Sequence, residues 1–321
     1  MAPNYLLFNQ STLAKLEQLT LAAGSIRVGA LKGDRRSRKK GTSIEFSDYR
    51  DYAQGDDLRR LDWNIYARLE RPFIKVTQDE EDLAVHILVD TSSSMNWPRE
   101  DFDASYTLAA TNKLLYSFRI AGALGIVGLL TGDLVTANLF DRGSRQVWGP
   151  FRSRQNSWPL LQFLEANYRV ISAENSEKRP RKTDLDLSLR DYALRARRPG
   201  LLVLISDLLA PGRDSGSDYQ AGIQALLSRG YEVAIIHVLS PDETSPASGG
   251  DLKLVDVETG EEAEITLDAD LLQDYSQRLS AWTAAIQAYC RSRGVRYVPV
   301  TTDQPWDAFV ISTLRREGVT T

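Results

Sequence analysis

The chain has 321 residues, 42% hydrophobic and 26% charged, with a net charge of −4. That length buries a full core, as one large α/β domain with an appendage or as two small domains, and the single cysteine, Cys290, excludes an internal disulfide framework and a cysteine-based zinc site. No apolar run approaches the roughly 18–20 residues of a membrane span, Ile120–Leu130 being the longest candidate, and Met1-Ala2-Pro3-Asn4 lacks the basic-then-apolar pattern of a secretory leader, so the expectation is a soluble, cytoplasmic protein without membrane contact.

Residues 5–22 place apolar side chains at helical spacing after Ser11-Thr12. Lys32–Lys40 then reads KGDRRSRKK, a solvated loop or a phosphate-contacting one; the acidic total argues against nucleic acid as the main partner. Between Ser43 and Glu81 the pattern predicts a strand near Glu45–Tyr49, a helix near Asp57–Arg68 and a strand near Phe73–Thr77. The run Ala84–Val89 is apolar throughout, as expected of a strand buried on both faces of a parallel sheet. A helix follows over Asp103–Ile120, then strands Leu124–Leu130 and Leu134–Phe140 around a hairpin-like turn at Thr131-Gly132-Asp133. Helices are predicted at Pro159–Tyr168 and Asp184–Arg197, a buried strand at Leu201–Ser206, a helix at Asp218–Ser228 and a strand at Glu232–Leu239. Leu252–Val257 and Ala263–Leu267 read as an antiparallel hairpin. The long helix Ala269–Arg293 stops before Gly294, and strand Val295–Val300 and helix Trp306–Arg316 close the chain.

Strands alternating with helices imply right-handed crossovers, so the fold class is α/β: a doubly wound, mainly parallel sheet with helices on both faces over 83–321, and a small N-terminal α+β appendage over 1–82. In such sheets ligands sit outside the carboxyl ends of the strands. There the first buried strand runs into Asp90-Thr91-Ser92-Ser93-Ser94, and LLVLIS runs into Asp207. Between them Thr183 opens a helix, as a ligand or as its N-cap. Two carboxylates at one apolar rim repel unless a cation sits between them. Their oxygens, with the hydroxyls, are hard ligands suited to Mg²⁺, Mn²⁺ or Ca²⁺. A divalent ion held by two carboxylates keeps room for one more acidic ligand, such as a partner protein's Asp or Glu.

Asp90, Ser92 and Ser94, then Thr183, then Asp207 resemble the metal-ion-dependent adhesion site of von Willebrand factor type A domains. Two departures are Lys182, where the superfamily often has glycine, and Leu208, which follows Asp207 in place of glycine. The stretch Tyr49-Arg50-Asp51-Tyr52 through Gly55-Asp56-Asp57-Leu58-Arg59-Arg60-Leu61-Asp62-Trp63, then Ala67-Arg68, with Lys75, Glu80 and Glu81, is similar to the bacterial domain of unknown function 58 family. That resemblance spans Ser43 to Asp207. It implies a von Willebrand A, Rossmann-like domain acting as an adaptor or co-chaperone with a MoxR-type AAA+ ATPase in protein maturation. Within Gly55–Arg68, the acidic residues Asp56, Asp57 and Asp62 either form a buried ion-pair network with Arg59, Arg60 and Arg68 over a packed Trp63, or Arg59, Asp62, Trp63 and Arg68 form a partner-docking surface.

Enzyme signatures are sparse. There is no Gly-x-x-x-x-Gly-Lys-Ser/Thr phosphate loop and no strand followed by Gly-x-Gly-x-x-Gly. His86 and His237 lie inside apolar strand runs and read as core residues, leaving Ser92 and Ser94 without an activating base. The expectation is a non-enzymatic, metal-dependent interaction module. A metal-dependent hydrolase, or a phosphate- or nucleic-acid-binding protein using Arg35–Lys40, are the alternatives.

Overall fold

The computed structural model describes residues 7, 8, 16, 19, 21, 45–53, 61–78, 83–98, 111–141, 143–176, 184–195, 198–209, 219–246, 250–255 and 262–320. By contacts the chain forms two units: Gly24–Asp82, and Met1–Ala23 together with Leu83–Thr321. This differs from a single cut after residue 82. The reason is apolar burial: Leu7, Phe8, Leu16, Leu19 and Leu21 are all buried, Phe8 packs edge-on to Trp306 with ring centroids 5.1 Å apart, and Leu21 bridges to Thr320.

The smaller unit pairs β1 (Glu45–Asp51) antiparallel with β2 (Phe73–Gln78) around helix α1 (Trp63–Leu69). Asp62 starts α1: its Oδ1 accepts from the backbone N–H of Asn64 at 2.9 Å and of Ile65 at 3.2 Å. The basic run Lys32–Lys40 and residues 54–60, including Arg59, lie outside the described residues.

The larger unit runs through β3 (Ala84–Asp90), α2 (Lys113–Leu130), β4 (Leu134–Phe140), β5 (Ser144–Phe151), α3 (Ser157–Ser176), α4 (Leu185–Arg195), β6 (Leu201–Ser206), α5 (Gln220–Ser228) and β7 (Glu232–Leu239). It continues with α6 (Pro241–Thr244), the antiparallel pair β8 (Gly250–Val255) and β9 (Glu262–Leu267), α7 (Ala269–Ser292) and β10 (Arg296–Thr301). The last helix, Trp306–Ala308 through Leu314–Arg316, carries a π-helical turn at Phe309–Thr313. Six strands form one sheet in the order β10-β7-β6-β3-β4-β5, parallel except for the edge strand β5. The chain is thus a mixed α/β protein with a mostly parallel sheet.

Helices cover both faces. His86 and Leu88 of β3 point toward α4 and α5, while Ile87 on the opposite face meets α2 near Gly125. Every residue of β3 and β6 is buried, which explains their unbroken apolar runs.

The stretch after residue 110 departs from expectation. Leu124–Leu130 is not a strand; it completes α2, whose described residues begin at Lys113, and residues 99–110 lie outside the described part. Thr131-Gly132-Asp133 is the exit of that helix, with Gly132 at φ 85°, and leads into a strand parallel to β3. Gly122, Gly125 and Gly128 recur every third residue, where an added Cβ would press on Phe8, Leu160 and Val135. Glycine here serves close helix packing. By length and composition α2 is apolar enough to cross a membrane, which corrects the expected absence of such a run, yet sixteen of its eighteen residues are buried inside the unit. Strand β5 was not anticipated. It folds back on β4 through Asp141–Gly143, with Gly143 at φ 157°.

Candidate functional site

The sheet order fixes where a site can form. From β3 the chain steps to β4 on one side, and β6 joins β3 on the other, so the connections diverge between β3 and β6. A crevice opens at such a switch point, at the carboxyl ends of the diverging strands. Asp90 ends β3 and Asp207 follows β6, and both side chains are fully buried.

Each is held by its own loop. Asp90 Oδ1 accepts from the Ser92 backbone N–H at 2.9 Å, and Oδ2 from the Ser206 hydroxyl at 2.7 Å. The Ser92 and Ser94 hydroxyls are 3.0 Å apart. Thr91 anchors the loop from behind, its N–H and hydroxyl both donating to Phe140 O at 2.8 Å. Asp207 Oδ1 accepts from Leu209 N–H at 3.1 Å, while Ser206 Oγ accepts from Leu208 N–H at 2.9 Å. Leu208 takes φ 54°, a left-handed conformation that costs a side chain of its size on the order of 1 kcal/mol. The loop keeps its turn without glycine because Leu208 is buried in the core.

The second oxygen of Asp207 has a partner that sequence reasoning missed. Lys113 Nζ, at the head of α2, donates to Asp207 Oδ2 at 2.8 Å and to Glu243 Oε1 at 2.6 Å. Lys113 and Asp207 have no exposed side-chain surface. Glu243 is placed by a capping box: its Oε2 accepts from Ser240 N–H at 2.7 Å, and Ser240 Oγ accepts from Glu243 N–H at 3.3 Å, with Pro241 opening α6. The run Ser240-Pro241-Asp242-Glu243 was a readable signal for this turn; nothing marked Lys113 beyond its lone charge before an apolar run.

His237 supports the site from below. A carbonyl only accepts, so His237 Nε2–H donates to Asp207 O at 3.0 Å, and the neutral Nδ1 accepts from Tyr297 OH at 2.6 Å. His86 repeats this arrangement with Arg198 O and Tyr192 OH. Burial lowers both imidazoles to about 4, against smaller raising effects from the carbonyls they donate to and, at His237, the Asp207 charge.

Charge is unbalanced at this rim. Burial pushes the Asp90 carboxyl up to about 7, the Asp207 charge adds to the effect, and hydrogen bonds from Ser206 and Ser92 oppose it. Burial alone would pull Lys113 down, but Asp207 and Glu243 outweigh it and hold the ammonium above its ordinary value. Lys113 thus faces two carboxylates, Asp207 and Glu243, while Asp90 feels the Asp207 charge with no cation of its own beside it among the described residues of the site. An all-oxygen donor set with excess negative charge fits a hard divalent cation. Among the described residues no group of three or more His, Cys, Asp and Glu converges on one point, so any such ion would rest on two carboxylates and hydroxyls.

Of the expected ligands, Asp90, Ser92, Ser94 and Asp207 come together around β3 and β6. Thr183 lies outside the described residues. The first turn of α4 is capped by Asp184, whose Oδ1 accepts from Leu187 N–H at 2.9 Å. In the smaller unit the expectation of Trp63 packed beneath a buried ion-pair network is corrected. No residue of α1 is buried, Arg68 is exposed, and Trp63 is 64% exposed, edge-on to Tyr66. Here α1 turns its aromatic side chains outward, with Asp62 working as its cap.

Fold and site together define an α/β protein whose polar centre lies at the switch point of a mostly parallel sheet. A family model described as "Protein of unknown function DUF58" matches residues 48–284, and the chain belongs to that family. Proteins described as uncharacterized from Mycobacterium tuberculosis and Mycobacterium bovis are each 27% identical over 308 residues, covering 95% of this chain and 90% of theirs. A Mycobacterium avium protein, also described as uncharacterized, is 35% identical over 137 residues, 41% of this chain and 78% of its own. Among solved structures, an aerotolerance-related membrane protein from Bacteroides fragilis is 15% identical with a TM-score of 0.42, covering 73% of this chain and 98% of that one.

Proposed function

We propose that the rim formed by Asp90, Ser92, Ser94 and Asp207 is a divalent-cation-dependent protein docking site, and that the chain is a cytoplasmic adaptor and not an enzyme. One observation carries this reading: two buried carboxylates stand at the ends of adjacent central strands with serine hydroxyls beside them and too little positive charge to balance them. These residues, with Thr183 as a further ligand, would hold Mg²⁺, Mn²⁺ or Ca²⁺. When bound, the cation supplies a Lewis-acidic position that an Asp or Glu of a partner protein can occupy. Both histidines are engaged at both ring nitrogens, which supports a role without general-base chemistry. The rim motif and the Tyr49–Arg68 stretch resemble proteins encoded beside MoxR-type AAA+ ATPases, so such an ATPase is the proposed partner in protein maturation or complex assembly.

The test is calorimetric titration with Mg²⁺ and Mn²⁺ of the wild type, Asp90→Ala and Asp207→Ala, each checked for folding by circular dichroism. We expect one ion per wild-type chain and none in either variant. A wild type that binds neither cation, alone or with a MoxR-type ATPase, would sink the docking reading.

A further inference from the structure

Lys113 is fully buried, and it touches the site from the head of α2. Its ammonium is shared between Asp207 and Glu243, at 2.8 and 2.6 Å. Asp207 Oδ2 is therefore engaged by an internal cation. Glu243 is pinned separately, by its capping box with Ser240 and by Tyr275 OH donating to its carbonyl at 2.6 Å. It can hold the ammonium alone without moving.

We infer that Lys113 is a built-in counter-ion that competes with a divalent cation for Asp207, and that Glu243 is the acceptor that takes the ammonium over when Asp207 turns to the metal. This rests on the docking site proposed above and adds its regulation: the chain sets a ceiling on its own metal affinity. The structural logic gives opposite signs for two substitutions. Lys113→Met removes the competitor and leaves Asp207 and Glu243 uncompensated, so cation binding tightens. Glu243→Gln removes the alternative acceptor, keeps the whole ammonium charge on Asp207 and weakens binding. Close charges in a buried setting make either change roughly tenfold or more in affinity.

The experiment is Mn²⁺ titration of the full chain by calorimetry, with the Mn²⁺-induced rise in melting temperature as a second readout, for wild type, Lys113→Met, Glu243→Gln and Asp90→Ala. Tighter binding and a larger thermal rise in Lys113→Met, with weaker binding in Glu243→Gln, are the expected results. If wild type binds and Asp90→Ala does not, while Lys113→Met is no tighter, the counter-ion role is overturned and the docking site stands. If wild type and Lys113→Met both fail to bind, both readings fall. Should Lys113→Met not fold, Glu243→Gln decides: an affinity equal to or above wild type overturns the inference.

Discussion

At the scale of single residues, the candidate site is a balance of buried charges, and removing one partner exposes the cost of the others. Lys113→Ala leaves Asp207 and Glu243 facing each other without a cation, and breaking such a buried pair typically costs about 3–5 kcal/mol. Chemical denaturation in metal-free buffer should show a loss of that size, larger than for either exposed helix pair, Arg169–Glu165 or Arg195–Asp191. Ser206 is a second sensitive position, because its hydroxyl donates to Asp90 and accepts from Leu208 N–H. Ser206→Ala should cost about 1–3 kcal/mol by leaving a buried N–H and a carboxylate oxygen short of partners. The histidines set an acid limit. Their folded values, about 4, lie below the ordinary 6.5, so the stability they contribute is complete above pH 6.5 and is lost as pH falls toward 4. Asp90, raised to about 7, works in the opposite sense, destabilising as pH rises from about 4 to 7. Two histidines outweigh one aspartate below pH 6.5. The melting temperature should therefore drop between pH 6.5 and 4, and His86→Gln should flatten that drop; an unchanged slope would contradict the buried neutral imidazole.

At the scale of elements, the strands that carry the two aspartates lie side by side, and Gly200 is what lets them begin so close. A Cβ there would collide with the carbonyl oxygen of Ala84, the first residue of β3. Gly200→Ala should lower the unfolding free energy by about 1–3 kcal/mol and weaken Mn²⁺ binding together with it, because β3 and β6 cannot separate without moving Asp90 from Asp207. These two strands were plain in the sequence: continuous apolar runs leading into a carboxylate admit few other readings, and the placement of Asp90 and Asp207 at one rim followed from them. The region after Lys113 was harder to read. Glycines and β-branched residues at Gly125-Ile126-Val127-Gly128 look like strand and turn in isolation, and only the packing of the two glycines against Leu160 and Val135 shows why a helix uses them. Lys113 and Glu243 were illegible as a pair, since 130 positions separate them and the turn at Pro241 is a single helical turn. Trp63 was misjudged for a simpler reason. Sequence ranks tryptophan as a burying residue, but α1 has no buried face among its described residues.

At the scale of the molecule, the larger unit is completed by the first residues of the chain. Leu16 and Leu21 are fully buried, and Phe8 fills the space left by Gly122 against Trp306 near the other end of the chain. A chain beginning at residue 24 should lose several °C in melting temperature and become cleavable by protease in α2 or the C-terminal helix. A truncated form as stable as the full chain would overturn the assignment of Met1–Ala23 to that unit. The same long reach has a consequence for biosynthesis. Lys113 heads the most buried helix of the unit, but its counter-ions lie 94 and 130 residues further along. A nascent chain folding from its N-terminus makes the apolar body of α2 while that ammonium still has no partner and stays in water. The helix cannot seat fully until β6 and the turn at Pro241 have left the ribosome. Closure of the core around α2 and assembly of the site are then one late event, waiting on acceptors far down the chain.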